Sequence, residues 1–363
     1  MDEFQTKQQR ILRLLQERGL GALHLRRAGS FAWATCGASS QVNQASSFGE
    51  ASLLVTPQAR VVICNNIEAP RLVDEEGLEA QGWEMRVTPW HEDRDALRAL
   101  LPTGPFGADE SEEGAVDLSV EVAHLRAELT PPEEQRFREL GKLCAQAISA
   151  AARGVRPGQS ELEIAAGLSR ECENRGVQAT VNLVASDERV YRYRHPLPTA
   201  KTLERYAMLV VCGRKAGLIC SVTRLVHFGK LPAELARRQE AIARVDAQWI
   251  RATRPGRALG DVFREGVAAY GEVGFPEEWR RHHQGGPAGY EPREWLARPD
   301  SPEIIRAGQA FAWNPSIEGI KMEDTQLVGQ GEPEILTTLT DWPTIQVALD
   351  GGTLPRPAIL EIT

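Results

Sequence analysis

Two adjacent prolines, Pro131 and Pro132, constrain this chain more than any other feature. Neither can donate a backbone hydrogen bond, so the pair cannot lie inside a helix or a central strand. Proline does fit the first turn of a helix, and Thr130 with Glu133 has the spacing of a capping box. The sequence here predicts a domain junction that opens directly into a helix. The 363 residues divide there into segments 1–129 and 130–363, each long enough to bury a core.

Before the junction, Phe4, Ile11, Leu12 and Leu15 recur on one face and Gly19 follows as a stop, which predicts a helix over the first 18 residues. Strand-like runs follow at 22–25, 31–35, 52–55 and 60–64. Residues 65–75 read as helix, 83–87 as strand, 96–101 as helix, 106–108 as strand and 116–125 as helix. This alternation predicts an α/β domain. After the junction, Phe137, Leu140, Leu143, Cys144, Ala147 and Ile148 share one helical face that ends before Gly154. A second capping box, Ser160 with Glu163, opens a helix that stops at Gly176. Runs at 207–212 and 218–226, joined by GRKAG, read as a β-hairpin. Helices at 232–254 and 259–271 precede strand-like runs at 309–313, 324–328 and 334–337. Helix pairs alternating with strands predict an α+β domain with a curved antiparallel sheet. The last twenty residues, with a Gly-Gly pair and two prolines, read as an extended tail.

Charge and cysteine usage narrow the function. Lys+Arg 42 against Asp+Glu 50 gives −8, which excludes a general affinity for nucleic acid or anionic membrane. No apolar run approaches the roughly 18 residues of a membrane span. The polar start MDEFQTKQQR lacks a signal-peptide core, so the expected location is the cytoplasm. The six cysteines form no CxxC pair and read as small core hydrophobes, Cys212 and Cys220 as buried inert thiols rather than nucleophiles. Gly-rich phosphate loops are absent.

Four segments stand out: Arg194-His195-Pro196-Leu197-Pro198; Gly217-Leu218-Ile219-Cys220-Ser221-Val222-Thr223-Arg224; His282-His283-Gln284-Gly285-Gly286-Pro287; and Trp313-Asn314-Pro315-Ser316 with Gly319-Ile320-Lys321-Met322-Glu323-Asp324-Thr325. In this order and spacing they resemble the motif series of the creatinase/aminopeptidase P/prolidase family, whose C-terminal domain has the pita-bread fold. The resemblance covers about residues 130–340, and residues 51–57 and 67–69 resemble the family's smaller lead domain. It implies an α+β protein with a pita-bread C-terminal domain, a creatinase-like α/β N-terminal domain and a homodimeric state.

The resemblance also implies a site. Peptidases of this family hold two metal ions with two Asp, one His and two Glu, since adjacent dications need several hard, negative ligands. Those positions fall on Val210, Ser221, His283, Asn314 and Glu323, so three have no carboxylate. The expectation is no dinuclear centre and no cofactor. A single metal on His283, Glu323 and one further residue is the weaker alternative. His195 alone reads as an exposed loop histidine; the resemblance makes it the candidate acid/base, with His283 and Glu323 orienting substrate or water. Arg192, Arg194, Arg224 and Tyr290 are the candidate substrate-binding residues, although Arg192 and Arg194 read equally as a solvated face. Tyr290 stands where the family has a second substrate-contacting histidine. Glu291, Arg293 and Glu294 read as structural or rim residues, and Lys321 with Glu323 and Asp324 reads as an ion-paired strand end. The pocket is expected where His195, His283 and Glu323 converge.

The functional expectation is a metal-independent hydrolase of a C–N bond in a small guanidino, amide or dipeptide-like molecule. The alternatives are a non-catalytic protein binding a small molecule or short peptide on the same fold, and a true Xaa-Pro dipeptidase or aminopeptidase with an atypical metal site. No residue in the sequence alone stands out as a substitute for the metal in polarising a carbonyl.

Overall fold

Helix α1 (Glu3–Arg18) is fixed at both ends: Asp2 accepts the Gln5 N–H at 2.7 Å, and Gly19 takes the left-handed conformation at φ 64°. The structure, a computed structural model, describes residues 2–92, 96–350 and 352–363. Met1 of the polar start and Gly351 of the glycine pair lie outside the described residues. The chain divides into one unit of residues 2–133 with 216–218 and a second of 134–215 with 219–363.

The first unit continues with β1 (Ala22–Arg27), α2 (Ala28–Ala34), β2 (Phe48–Val55), β3 (Arg60–Asn65), α3 (Ala69–Asp74), β4 (Glu84–Thr88), α4 (Ala96–Leu100), β5 (Phe106–Ala108), β6 (Ala115–Asp117) and α5 (Ser119–Ala127). The strands form one mixed sheet in the order β4-β3-β2-β1-β5-β6. Its antiparallel centre is β1-β2-β3, and the outer strands pair parallel. Leu23, Leu25, Leu53 and Val55 are buried at its centre.

Two expectations change here. The run 31–35 is helical, not extended: all five residues are buried, and Thr35 bonds back to the Phe31 carbonyl through N–H and Oγ1. A short run buried on every side has no periodicity to tell a strand from a helix. The expected helix at 65–75 shortens to α3, because the Asn65 side chain accepts the N–H groups of Ile67 and Glu68 and makes a turn first.

Helix α6 (Pro131–Gly154) starts at the two prolines, with the Thr130 N–H and hydroxyl both donating to Glu133 at 2.7 Å. After it come α7 (Glu161–Glu173), β7 (Gln178–Ser186), α8 (Glu188–Arg192), β8 (Tyr206–Lys215), β9 (Leu218–Phe228), α9 (Ala233–Ala252), α10 (Leu259–Glu272), β10 (Gly285–Ala288), β11 (Ala310–Trp313), β12 (Ser316–Ile317), β13 (Ile320–Lys321), β14 (Asp324–Leu327), β15 (Glu334–Ile335), β16 (Thr344–Leu349), β17 (Gly352–Pro357) and β18 (Leu360–Ile362). The capping box at Ser160 and Glu163 closes reciprocally. The hairpin between β8 and β9 turns at Ala216 and Gly217, both at positive φ.

Two four-stranded sheets, β18-β9-β8-β7 and β10-β11-β14-β15, carry this unit. They meet where the Thr223 N–H donates to the Glu323 carbonyl at 3.0 Å and Thr325 bonds both the N–H and carbonyl of Ser221. Helices α9 and α10 cross closely at Gly266, where any Cβ would collide with the Trp249 ring; Trp249 in turn stacks on Trp313 at 5.3 Å.

The end of the chain is not a loose tail. Residues 352–357 pair with β16, and Leu360–Ile362 adds a parallel strand to β9 against Val226, His227 and Phe228. Its prolines sit on an edge ladder, where a missing donor is tolerated. Arg356 is fully buried between Asp246 and Asp324, 2.5 Å from each. Among the described residues, no helix is long and apolar enough to cross a membrane.

Candidate active site

The loop that carries His195 is pinned by two carboxylates. Glu161, fully buried at the start of α7, accepts the backbone N–H groups of Ser186 and Thr199, the Thr199 hydroxyl and the Arg189 guanidinium. Asp187, at positive φ, accepts three consecutive N–H groups, from Glu204, Arg205 and Tyr206. Charge-assisted bonds of this kind fix a loop far more firmly than its short apolar content would.

The facing segment, His282-His283-Gln284, enters β10 through two glycines at positive φ. A Cβ on Gly285 would lie 2.1 Å from the Ala312 carbonyl oxygen, so only glycine lets β10 pair this tightly with β11. Gln284 is locked in turn: it accepts from the Tyr270 hydroxyl at 3.0 Å and donates to the carbonyls of Trp279 and His282.

These two segments bring three imidazoles together. Their potential ligand nitrogens on His195, His282 and His283 all lie within 4.8 Å of one another. His195 Nε2 is 3.0 Å from His282 Nε2, and His282 Nδ1 is 3.2 Å from Ser316 Oγ. The Asn314 Nδ2 contact with His282 Nε2 favours the arrangement in which His195 donates from Nε2 and His282 accepts on Nε2 and donates from Nδ1 to Ser316. Burial is the main reason all three are held below the usual histidine range, His282 at about 2 and His283 at about 4; the Lys321 charge adds to it in each case. All three imidazoles are neutral at pH 7.

Beside them lies a buried charge cluster. Lys321 Nζ is 2.8 Å from Glu323 Oε2, and Arg293 Nη2 donates to Glu323 Oε1 at 2.9 Å. The Thr223 hydroxyl adds a bond at 2.7 Å, so both carboxylate oxygens are occupied. Burial alone would raise the Glu323 pKa, but the two cations outweigh it and hold it at about 2. Arg293 Nη1 reaches on to Ser221 Oγ at 3.1 Å, bridging Ser221 and Glu323. Ser221 also contacts Cys212 Sγ at 3.2 Å; burial pushes that thiol up to about 11, so it stays protonated. Three buried polar atoms in this region have no partner: His283 Nδ1, Asn314 Oδ1 and Arg293 Nε.

The sequence-derived residues therefore separate. His195 and His283 come together, and both feel the charges of Glu323 and Lys321. Val210 is in the apolar core, paired with Leu183. Asn314 touches His282 at 3.4 Å. Arg224 is buried away from the imidazoles, its guanidinium taken by Asp324 and by the carbonyls of Thr223 and Thr337. Arg194 is spent on Glu278 and the Ile317 carbonyl, Arg192 lies exposed over the Tyr193 ring, and Tyr290 is buried with its N–H on Glu294. Arg293, read from sequence as a structural or rim residue, is not at the rim: 8% of its side chain is exposed and it is paired with Glu323. His282, outside the family's ligand pattern and from sequence only a suspect for an additional ligand, is the residue that His195 contacts. Its adjacency to His283 was the available signal.

Comparison with known proteins follows the geometry. The model of metallopeptidase family M24 matches residues 135–330. No curated protein gives a sequence match. Among solved structures, the chain is similar to the prolidase from Pyrococcus horikoshii OT3, with 18% identity over 92% of this chain and 98% of that one and a TM-score of 0.78. The Xaa-Pro dipeptidase from Bacillus anthracis gives 17% identity over 99% and 100%, with a TM-score of 0.78. The X-Pro aminopeptidase from Thermotoga maritima MSB8 gives 19% over 98% and 99%, with a TM-score of 0.77. These structural likenesses show the shared pita-bread fold. The family match spans more than half of the chain, and the protein belongs to metallopeptidase family M24.

Proposed function

We propose that the protein hydrolyses a C–N bond in a short peptide-like, amide or guanidino compound without a dinuclear metal centre. The observation that carries this reading is the Arg293 bridge between Ser221 and Glu323, with Lys321 on the second carboxylate oxygen. The family's name implies metal ions, and the residues at the five corresponding positions do not fit a pair of them. Val210 has no donor atom, Ser221 and Asn314 are neutral, and Glu323 is already neutralised by two side-chain cations. A dication would have to displace both.

Those cations supply the electrophile that the sequence alone did not offer. In this reading Lys321 and Arg293 stabilise the negative charge that a carbonyl oxygen gains as water adds to its carbon. His195, neutral and exposed at the mouth of the cluster, takes the water proton and returns it to the leaving nitrogen as the C–N bond breaks. His282, held by Ser316, orients His195. The unpartnered His283 Nδ1, Asn314 Oδ1 and Arg293 Nε favour a small polar ligand, because buried polar atoms are otherwise satisfied.

A second reading rests on the same histidines: a single metal ion on His195, His282 and His283, as in a three-histidine zinc site, serving an Xaa-Pro dipeptidase. One experiment separates the two. Chelator-treated protein is incubated with Xaa-Pro dipeptides and with a panel of small amides and guanidino acids, and products are read by mass spectrometry. Turnover of a panel compound that survives chelation and is lost in His195→Asn supports the proposal. Xaa-Pro cleavage restored by one equivalent of metal supports the second reading. Binding without turnover would overturn both.

A further inference from the structure

The first unit holds a constellation that the M24 relationship leaves unused. His24 lies on β1 and pairs in register with Leu54 on β2, so Ser52, two residues before Leu54, faces the same side of the sheet. The ladder then slips. Leu25 pairs with Leu53, but Arg27 pairs with Phe48, so residues 49–52 bulge out opposite Arg26. The carboxylate of Asp109 takes the Arg26 and Arg27 N–H groups, at 2.8 and 3.1 Å. Bulges of this kind re-aim side chains and end strand pairing. Strand β5 runs parallel to β1 with Ala108 opposite His24, and the chain leaving it turns at Asp109 and carries Glu112 to the His24 ring.

The outcome is an ordered chain of three side chains. His24 Nδ1 is 2.7 Å from Glu112 Oε2, and His24 Nε2 is 3.0 Å from Ser52 Oγ. His24 is buried, Ser52 is half-buried, and all three line a cavity of about 270 Å3 whose apolar wall is Phe48, Ile63 and Leu97. Burial lowers the His24 pKa despite the opposing effect of Glu112, so the ring is neutral and ready to accept a proton. Cys64, in the same cavity, has its thiol pushed up to about 11 by burial and does not compete as a nucleophile.

We propose that Ser52, His24 and Glu112 form a second catalytic site, a serine nucleophile with its base and the carboxylate that orients the base, acting on short-chain carboxylic esters. The roles are recognised by geometry, whatever the fold and chain order. Ser52 Oγ bonds to the ester carbonyl carbon, its proton passes to His24 Nε2, and the C–O bond to the alkoxy group breaks. The leaving alkoxide takes that proton from His24. Water, deprotonated by His24, then adds to the acyl carbon, the C–O bond to Ser52 breaks, Ser52 Oγ takes the proton back from His24, and the acid is released. The cavity is small, and Phe48, Ile63 and Leu97 give it one apolar side among polar lining residues such as Arg26, Glu50 and Asn65, which suits a short acyl chain on an ester.

The test is labelling of the full chain with a fluorophosphonate probe, with the adduct located by peptide mass spectrometry and p-nitrophenyl acetate hydrolysis measured in parallel. The expected result is an adduct on Ser52, absent in Ser52→Ala, together with labelling and ester hydrolysis slowed at least about 100-fold in His24→Gln. Glu112→Gln, which keeps the shape of the side chain, slows both by about tenfold or more. Thermal melts establish that each variant is folded. A folded wild-type chain that takes no label on Ser52 overturns the proposal, as does labelling at an unchanged rate in folded His24→Gln.

Discussion

Lys321 and Glu323 stand two residues apart with Nζ and Oε2 2.8 Å from each other, both side chains almost wholly buried. Removing one partner of a buried pair leaves an uncompensated charge, which costs about 3–5 kcal/mol. Glu323→Gln strands both Lys321 and Arg293 and is expected at the upper end of that range. Lys321→Met leaves Glu323 with Arg293 and Thr223 and is expected nearer the lower end. Urea unfolding of both variants measures this, and changes within about 0.5 kcal/mol of wild type would contradict it.

Metal content provides an independent check. With Val210, Ser221 and Asn314 at three of the five family ligand positions, dialysed protein is expected to hold no pair of manganese, cobalt or zinc ions per chain. On this expectation no metal contributes to folding, and a chelator should leave the melting temperature unchanged. Two equivalents found by elemental analysis would refute the expectation.

The buried imidazoles set the acid limit of stability. His282 and His283 sit at about 2 and about 4 when folded, against 6.5 otherwise, so the unfolded chain binds more protons below pH 6.5. Their stabilisation is complete above pH 6.5 and is lost as pH falls through that window. Glu323, held at about 2, loses its own contribution below pH 4.5. Between pH 6.5 and 5 the loss from His282 is on the order of 1–2 kcal/mol. Unfolding free energies at these two pH values should differ less in His282→Gln than in wild type; an equal or larger difference would sink the assignment.

Arg356 links the end of the chain to the interior. Arg356→Ala leaves Asp246 and Asp324 buried without their shared cation, at a cost of about 3–5 kcal/mol. Asp246 already has its pKa raised to about 6, burial outweighing Arg356. Without the arginine it takes up a proton near neutrality, so the stability deficit of the variant relative to wild type should shrink as pH falls from 7 to 5. Melting curves across that range would expose the opposite trend.

What the sequence could and could not convey follows from how far apart the interacting groups lie. Local chemistry was legible: the capping box at Ser160, the stop at Gly19 and the prolines opening α6 act within a few residues. The motif order brought out the fold and the convergence of His195 with His283. Arg293 was not legible, because its partners Ser221 and Glu323 lie 72 and 30 residues away, and a charged residue after a Gly-rich loop has no pattern of its own. Arg224 resembles a substrate clamp in its motif, but the carboxylate that occupies it is 100 residues distant. The run 31–35 failed for a different reason, since complete burial erases the alternation that marks a strand.

The closing strand also bears on how this molecule can be made. Leu231 donates its N–H to Glu361, 130 residues further on, beside the pairing of β18 with β9. The sheet that carries Ser221 is therefore completed by a strand that lies about 130 residues further along the chain. At about 5–20 residues per second, the exposed edge of β9 waits on the order of ten seconds for its partner. During that interval the nascent chain presents an unpaired strand edge in the second unit, whereas the six-stranded sheet of the first unit, β4-β3-β2-β1-β5-β6, is already synthesised by residue 117.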